Sequence, residues 1–196
     1  MPLVQPTPPA AATAAIRDKL EQYGDPEITN PAALGGSQPT ELTPVSALPT
    51  YVLGLDALGR AYPLDSARAI GWRYLLEDGG QAVAAAETVR SDEGGHRFAS
   101  FNKGPFVSAT VAAMHAAQLH ATGQDLEVRF LTVPAIALRA LWLHPTTPAS
   151  PTLIPLAPAP SGVEAFHPYP AAELFTIVAE AAAQVNDVGI NDDRGS

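Results

Sequence analysis

The longest apolar stretch with few helix or strand breakers covers residues 98–144, and its first half predicts a helix. Gly104 and Pro105 mark the start, because proline suits the first helical position, where a backbone N–H has no partner anyway. Gly123 is a natural stop. Apolar side chains and alanines leave this segment little polar face, so we expect the helix to be mostly buried.

Two strands are predicted directly after this helix, at Leu126–Val133 and at 135–144. Both are almost continuously apolar, which is typical of strands that are covered on both faces. The helix can cover one face. The other face needs the N-terminal helix, the C-terminal helix or a second subunit. Residues 153–156 predict a further short edge strand, where Pro155 is tolerated.

A hairpin is predicted upstream of the helix, with strands at 72–76 and Gln81–Arg90. The turn between them is Asp78-Gly79-Gly80, and such pairs are strong hairpin signals. Residues 97–102 return as a third strand. A helix over 65–77 is the alternative, because its apolar residues also fit helical spacing.

An earlier hairpin is predicted at 51–64, where apolar runs flank Asp56-Ala57-Leu58-Gly59. This tetrapeptide has Asp first and Gly last, as a type I turn prefers. Helices are predicted at both ends of the chain. The first, over Ala10–Tyr23, carries the apolar stripe of Ile16, Leu20 and Tyr23 and ends before Gly24; the second covers 171–185.

Proline divides the chain into a compact centre and two irregular flanks. Nine of the 20 prolines precede residue 50 and eight lie between 145 and 170. We therefore predict an N-terminal helix with a Pro-rich extended segment at 1–49 and a core at 50–144. A Pro-rich connection and a C-terminal helix at 145–196 are expected to pack on the same domain.

Grouped strands and separate helices indicate an α+β fold. We expect an antiparallel sheet of about five to seven strands, a buried central helix, and flanking N- and C-terminal helices. A cystatin-like or roadblock-like arrangement is compatible with this order of elements. The residues carry no motif that identifies a family.

The net charge of −9 is concentrated in the flanks, because residues 50–144 carry a net of only −1. An acidic chain without a basic cluster argues against nucleic acid or an anionic membrane as partner. The chain has no cysteine, which excludes disulfides and argues against structural zinc. With no secretory signal pattern at the start and no run of 18 apolar residues, the expected location is the cytoplasm.

Catalytic motifs are absent from the sequence. His115 and His120 are five residues apart, so on a helix they diverge by roughly 140° and cannot share a metal ion. The chain has no HExxH, no G-x-S-x-G and no phosphate-binding loop. No catalytic residue, metal ligand or cofactor is therefore predicted.

Two features point to a ligand. Asn102, Lys103 and Gly104 precede the buried helix, whose positive N-terminal end attracts anions. Arginines also lie within the strands, where each can bind a carboxylate or phosphate, or can pair with a glutamate across strands. Pairing of the arginines with glutamates across strands is the favoured interpretation. Binding of a ligand by the arginines is the alternative. The five arginines are Arg73, Arg90, Arg97, Arg129 and Arg139.

The sequence leans toward a binding or interaction protein without catalysis, and toward a homodimer. The reasons are the shortage of catalytic groups and the strands that are apolar on both faces. The candidate ligand-binding residues are Asn102, Lys103, Gly104, Arg73 and Arg129, with an anionic small molecule as ligand. The alternative is a small enzyme that acts on an anionic metabolite held by Lys103 and the strand arginines. A weaker hypothesis treats residues 145–170 as a docking strip for another protein.

Overall fold

An eight-stranded sheet with three helices forms the fold in the computed structural model, which describes residues 3–24, 34, 37–121, 125–147 and 149–192, with side chains up to residue 181. The helices are α1 (Ala10–Tyr23), α2 (Pro105–His120) and α3 (Ala171–Asp192). The strands are β1 (Thr43–Val52), β2 (Arg68–Asp78), β3 (Gln81–Arg90), β4 (His96–Lys103), β5 (Leu126–Val133), β6 (Leu138–Pro145), β7 (Thr152–Pro155) and β8 (Tyr169–Pro170).

The strand order is β4-β3-β2-β1-β5-β6-β7-β8, and every neighbouring pair is antiparallel except β1 with β5. The α+β class and the mostly antiparallel sheet are thus confirmed. The eight strands exceed the five to seven expected. Residues 152–155 do not form an edge, since β8 pairs with β7 on its outer side.

One face of the sheet is covered by α2 and the other by α1 and α3. Buried residues of α2, such as Ala113 and Ala117, pack with Leu141 of β6 and its neighbours. On the opposite face, Leu174 of α3 packs with Leu138 of β6, and α1 packs over β2 and β3. The second face of the apolar strands is therefore covered by the chain itself, which removes the packing argument for a second subunit.

The parallel contact between β1 and β5 is short, and it joins the two halves of the sheet. Thr50, Tyr51 and Val52 are paired with Phe130, Leu131 and Thr132. Towards the start of β5, the N-terminal segment lies beside this strand in place of β1, because Val128 N donates to Val4 O at 3.0 Å. This arrangement places β1 near the middle of the sheet.

The predicted hairpin at 51–64 is wrong. Residues 51 and 52 end β1, and the chain then forms 3-10 helices at Leu55–Ala57 and Pro63–Ser66. β1 starts before the expected core boundary at residue 50, and it contains Pro44 and Pro49, which made this stretch read as irregular. Proline is tolerated here because the ladder to β5 begins only at Thr50, so a proline nitrogen can face an unpaired side.

The other predicted elements are confirmed, with small changes in their bounds. The β2–β3 hairpin turns at Gly79 and Gly80, both with positive φ, so the helical alternative at 65–77 does not hold. α1 matches its predicted range, and α2 starts at Pro105 after Gly104. Gly123, residues 25–33 and 35–36 of the extended segment, and the polar tail at 193–196 lie outside the described residues.

Candidate functional site

Arg73 lies near the centre of β2 and is buried, with 4% of its surface exposed. Its register partners are Glu87 on β3 and Leu48 on β1. Strand alternation places Arg73 and Leu75 on the α2 face and Tyr74 on the α1 face. A charged side chain at such a position needs partners, because burial of an unpaired charge is costly.

A chain of polar contacts runs from Arg73 to the strand that precedes α2. Arg73 Nη1 donates to Glu87 Oε1 in a short ion pair. Ser100 Oγ donates to Glu87 Oε2 at 3.5 Å, and Asn102 Nδ2 donates to Ser100 Oγ at 3.2 Å. Two of the predicted ligand residues, Arg73 and Asn102, are thereby brought into one cluster on the α2 face.

The pairing of Arg73 is incomplete. Its Nε and Nη2 are buried and have no hydrogen-bond partner among the described residues. The guanidinium carbon lies 5.0 Å from the centre of the Phe130 ring, so the cation is attracted by the ring face. The hydroxyl of Thr50, which pairs with Phe130 across β1 and β5, is also buried without a partner.

A second guanidinium reaches the same cluster from β6. Arg139 shares the α2 face with Leu141, and its guanidinium carbon lies 4.2 Å from the centre of the Phe106 ring in the first turn of α2. Within the described part of the chain Arg139 makes no ion pair. Three strand spacings, roughly 14 Å, separate the backbones of β2 and β6, and two long arginine side chains shorten that gap.

The pKa of Arg73 reflects an excess of positive over negative charge in its surroundings. Burial lowers the pKa of Arg73, the Glu87 carboxylate acts in the opposite direction, and the nearby charge of Arg139 lowers this pKa further. Two cations thus lie in one partly desolvated place, and the ion pair described there joins Arg73 to Glu87. We call the group formed by Arg73, Glu87, Ser100, Asn102, Phe106, Phe130 and Arg139 the Arg73 cluster.

Lys103 and Gly104 do not belong to this contact network. Lys103 is exposed at the end of β4, and strand alternation directs it away from the face of Asn102. Gly104 has φ 80° and precedes Pro105, so it serves as the backbone turn into α2. Of the predicted tripeptide, Asn102 alone is linked to a buried charge.

Arg129 lies on the opposite face of the sheet from Arg73. Its Nε donates to Glu127 Oε1 at 2.7 Å, and its guanidinium lies 5.2 Å from the Tyr51 ring centre and 4.6 Å from that of Trp142. The His144 ring meets Trp142 edge to face at 5.5 Å. We call these five residues the Arg129 cluster. A single small ligand cannot contact both Arg73 and Arg129, because the sheet separates them.

The Arg129 cluster also holds one unpartnered polar atom, the buried Nε1 of Trp142, but this donor is neutral. Burial lowers the pKa of His144, the charge of Arg129 lowers it further, and Glu127 opposes the shift. The charge of Arg129 itself is paired with Glu127 and stacked on two rings. The positive charge in this cluster therefore has its partners within the protein and needs no ligand.

Several members of the Arg73 cluster were not predicted as site residues. Cross-strand glutamates and Arg139 belong to the predicted set of strand arginines and their partners, but Ser100, Phe106 and Phe130 are not among the predicted ligand residues. The proximity of Phe130 and Arg139 to Arg73 depends on the order β2-β1-β5-β6, which no local signal gives, whereas Ser100 reaches Glu87 through the pairing of β3 with β4. The remaining two strand arginines, Arg90 and Arg97, are exposed.

Other kinds of site find little support in the described residues. No group of three or more His, Asp or Glu side chains there could hold a metal ion. No described helix has the length and apolar character needed to cross a membrane. The strip at 145–170 is tied into the sheet, since Phe166 N donates to Pro155 O and Ala171 N donates to Pro151 O.

Comparisons with known protein families, with curated proteins and with solved structures find no match for this chain. They therefore lend no support to the cystatin-like or roadblock-like arrangement that the sequence left open. The function of this protein is therefore inferred from its residues alone.

Proposed function

We propose that this protein is a binding protein without catalytic activity, and that its ligand is a small anion held in the Arg73 cluster. The observation that carries the proposal is the buried guanidinium of Arg73, which has two unpartnered nitrogens. A buried cation that is only partly paired is costly to the fold, and an anion in contact with it would offset that cost.

The charge balance of the cluster supports an anion rather than a cation or a neutral molecule. Arg73 and Arg139 bring two positive charges, and Glu87 is the one carboxylate that contacts either of them in the described residues. The start of α2 lies next to Arg139, because Phe106 in its first turn contacts that guanidinium. The positive N-terminal end of a helix also favours a negatively charged ligand.

Binding is favoured over catalysis by what surrounds Arg73. Glu87 already accepts hydrogen bonds from Arg73 and Ser100, so it is poorly placed to serve as a free general base. The histidines whose contacts are described lie elsewhere: His96 is beside Arg90, His144 is on the opposite face, and His167 contacts the ring of Tyr169. The enzyme alternative thus has no contact in its favour, although it predicts an anionic ligand too.

Anion-dependent stability tests this proposal. Thermal unfolding of the 196-residue protein is followed at constant ionic strength with added phosphate, sulfate or acetate. We expect at least one anion to raise the melting temperature in a saturable way, because a ligand that binds only the folded state stabilises it. Arg73→Gln should abolish the increase, whereas the matched control Arg97→Gln, at an exposed arginine of β4, should retain it. A flat response to all three anions would contradict the proposal.

The homodimer and the cytoplasmic location stay predictions. α3 covers the face of the sheet on which the sequence predicts a second subunit. A dimer would therefore need another surface, and the fold does not indicate which one. Light scattering coupled to size-exclusion chromatography decides the oligomeric state independently of ligand binding.

A further inference from the structure

The two unpartnered nitrogens of Arg73 lie on the same edge of its guanidinium group. Nη1 is the nitrogen on the Cδ side, and it is the one that donates to Glu87. Nη2 lies on the side of the Nε hydrogen, so Nε and Nη2 direct two parallel N–H bonds outward. This pair of donors is the edge with which arginine binds two oxygens of one acidic group at once.

We propose that the ligand of the Arg73 cluster is a small monocarboxylate with an apolar body, whose two oxygens accept from Nε and Nη2 of Arg73. This inference rests on the proposed function, since it names the class of anion. A single-atom anion such as chloride would use one donor well and leave the other without a good partner. A carboxylate satisfies both in one plane.

The charge of the cluster favours one negative charge on the ligand. Arg73, Arg139 and Glu87 sum to +1, which a carboxylate neutralises. A doubly charged phosphate would leave an excess negative charge close to Glu87. The ligand therefore differs from the phosphates that arginine clusters often bind, because this cluster already contains its own carboxylate.

The neighbours of Arg73 favour an apolar body on that carboxylate. The ring of Phe130 lies under the guanidinium, and the residue is buried, with 3% of its surface exposed. Phe106 is half-buried on the outer side, under Arg139. An aromatic or short aliphatic acid would contact these rings, while the unpartnered hydroxyl of Thr50 lies beside Phe130 on the same face.

Access to Nε and Nη2 of Arg73 requires a side-chain movement, which we assign to Arg139 and Phe106. Arg73 Nε and Nη2 do not contact solvent, whereas Arg139 and Phe106 are half-buried, and within the described residues Arg139 is held by its ring contact with Phe106 and by no side-chain hydrogen bond. Rotation of these two side chains would open the outer side of the cluster. The charge of Arg139, which already acts on Arg73, would then act on the bound carboxylate as well.

Nuclear magnetic resonance of the arginine Nε–H groups in the full 196-residue chain tests the inference directly. The probes are benzoate, propionate, inorganic phosphate and chloride at equal ionic strength. We expect benzoate and propionate to shift the Arg73 Nε–H signal in a saturable way, with at least tenfold higher affinity than chloride. Arg73→Lys, which retains the charge but loses the two-donor edge, should lower benzoate affinity at least tenfold, and Arg97→Lys should leave it unchanged.

Each other outcome overturns a defined part of the argument. If phosphate binds at Arg73 and the carboxylates do not, the monocarboxylate is wrong and the anion site survives. If no probe binds, both fail. If Arg73→Lys folds and retains full benzoate affinity, the two-oxygen contact is wrong. If that variant does not fold, the Nε–H signal of the unmodified protein decides the question, since absence of a shift at saturating benzoate excludes contact.

Discussion

The two arginine clusters show how the same side chain can meet two different needs on opposite faces of one sheet. Arg129 is 16% exposed, pairs with Glu127 and lies against two aromatic rings. The side chain of Arg73 is 5% exposed and shares Glu87 with Ser100, and two of its donors have no partner among the described residues. The difference is one of neighbours, because both arginines lie within strands and both have a glutamate nearby.

This comparison teaches that an ion pair alone does not separate structural arginines from ligand-binding ones. The useful measure is how many of the five N–H donors of each guanidinium are satisfied, and whether the others reach solvent. In the Arg129 cluster the terminal nitrogens are not among the buried unpartnered atoms, whereas Nε and Nη2 in the Arg73 cluster are. The guanidinium of Arg129 therefore has no donor among the buried unpartnered atoms of the described residues, whereas that of Arg73 has two.

The largest expected effect comes from removing the carboxylate of each pair. Glu87→Gln leaves Arg73 buried with no counter-charge, and we expect it to lower the free energy of unfolding by roughly 2–4 kcal/mol, near the ~3–5 kcal/mol typical of a broken buried pair. Glu127→Gln should cost less than about 1 kcal/mol, because Arg129 is more exposed than Arg73 and remains stacked on two aromatic rings. Urea denaturation of both variants measures the difference. Equal losses would mean that the two clusters do not differ as described.

Replacing the whole Arg73 pair by apolar side chains should have the opposite sign. Arg73→Met combined with Glu87→Leu removes both charges and both unpartnered donors, and such replacements are often neutral or stabilising by ~1–4 kcal/mol. We expect this double variant to be at least as stable as the unmodified protein and to show no anion-dependent stabilisation. Its melting temperature with and without benzoate checks both statements. A variant that is stable and still responds to benzoate would contradict the site.

The sequence predicted the local parts of this picture and missed the parts that depend on strand order. Asp78-Gly79-Gly80 and Gly104-Pro105 are turn and cap signals whose effect is decided within a few residues, and β2, β3 and α2 formed accordingly. β1 was missed because Pro44 and Pro49 obscure a strand whose ladders join residues distant in the chain. Tertiary pairing outweighed the local signal there.

The candidate site was half predicted for the same reason. The sequence predicts Arg73 and Asn102 as ligand residues, and they lie in one cluster. It also predicts Arg129, which lies on the opposite face of the sheet. In β2 the residues 74–76 are all apolar, so alternation could not tell which face Arg73 shares. Arg139 approaches Arg73 across two intervening strands, which only the sheet order reveals.

A smaller effect is expected from the aromatic stack in the Arg129 cluster. Arg129→Lys retains the positive charge near Glu127 but replaces a planar group between Tyr51 and Trp142 with a compact ammonium, which stacks less well. We expect a loss of about 0.5–1 kcal/mol in the free energy of unfolding and no change in anion-dependent stabilisation. Urea denaturation and the anion titration give the two readouts. Lost anion binding in this variant would couple the two faces, against the comparison.

The smallest expected effect is a pH dependence that belongs to the Arg129 cluster. Burial and the charge of Arg129 lower the pKa of His144 in the folded protein, with Glu127 opposing. The unfolded chain therefore binds the proton first, at a pKa of about 6.5. The contribution of His144 to stability is present above that pH and is lost as the pH falls toward the folded pKa.

His144→Gln should flatten this part of the stability profile while leaving stability at pH 7.5 nearly unchanged. His96, whose pKa burial and Arg90 also lower, contributes its own part, so His96→Gln is the matched comparison and the double variant should be flattest. Urea denaturation between pH 7.5 and 5 measures the slopes. A His144→Gln profile parallel to that of the unmodified protein would show that the His144 imidazole is not held neutral in the folded protein. The charge of Arg129 would then not exclude a second positive charge from the Arg129 cluster.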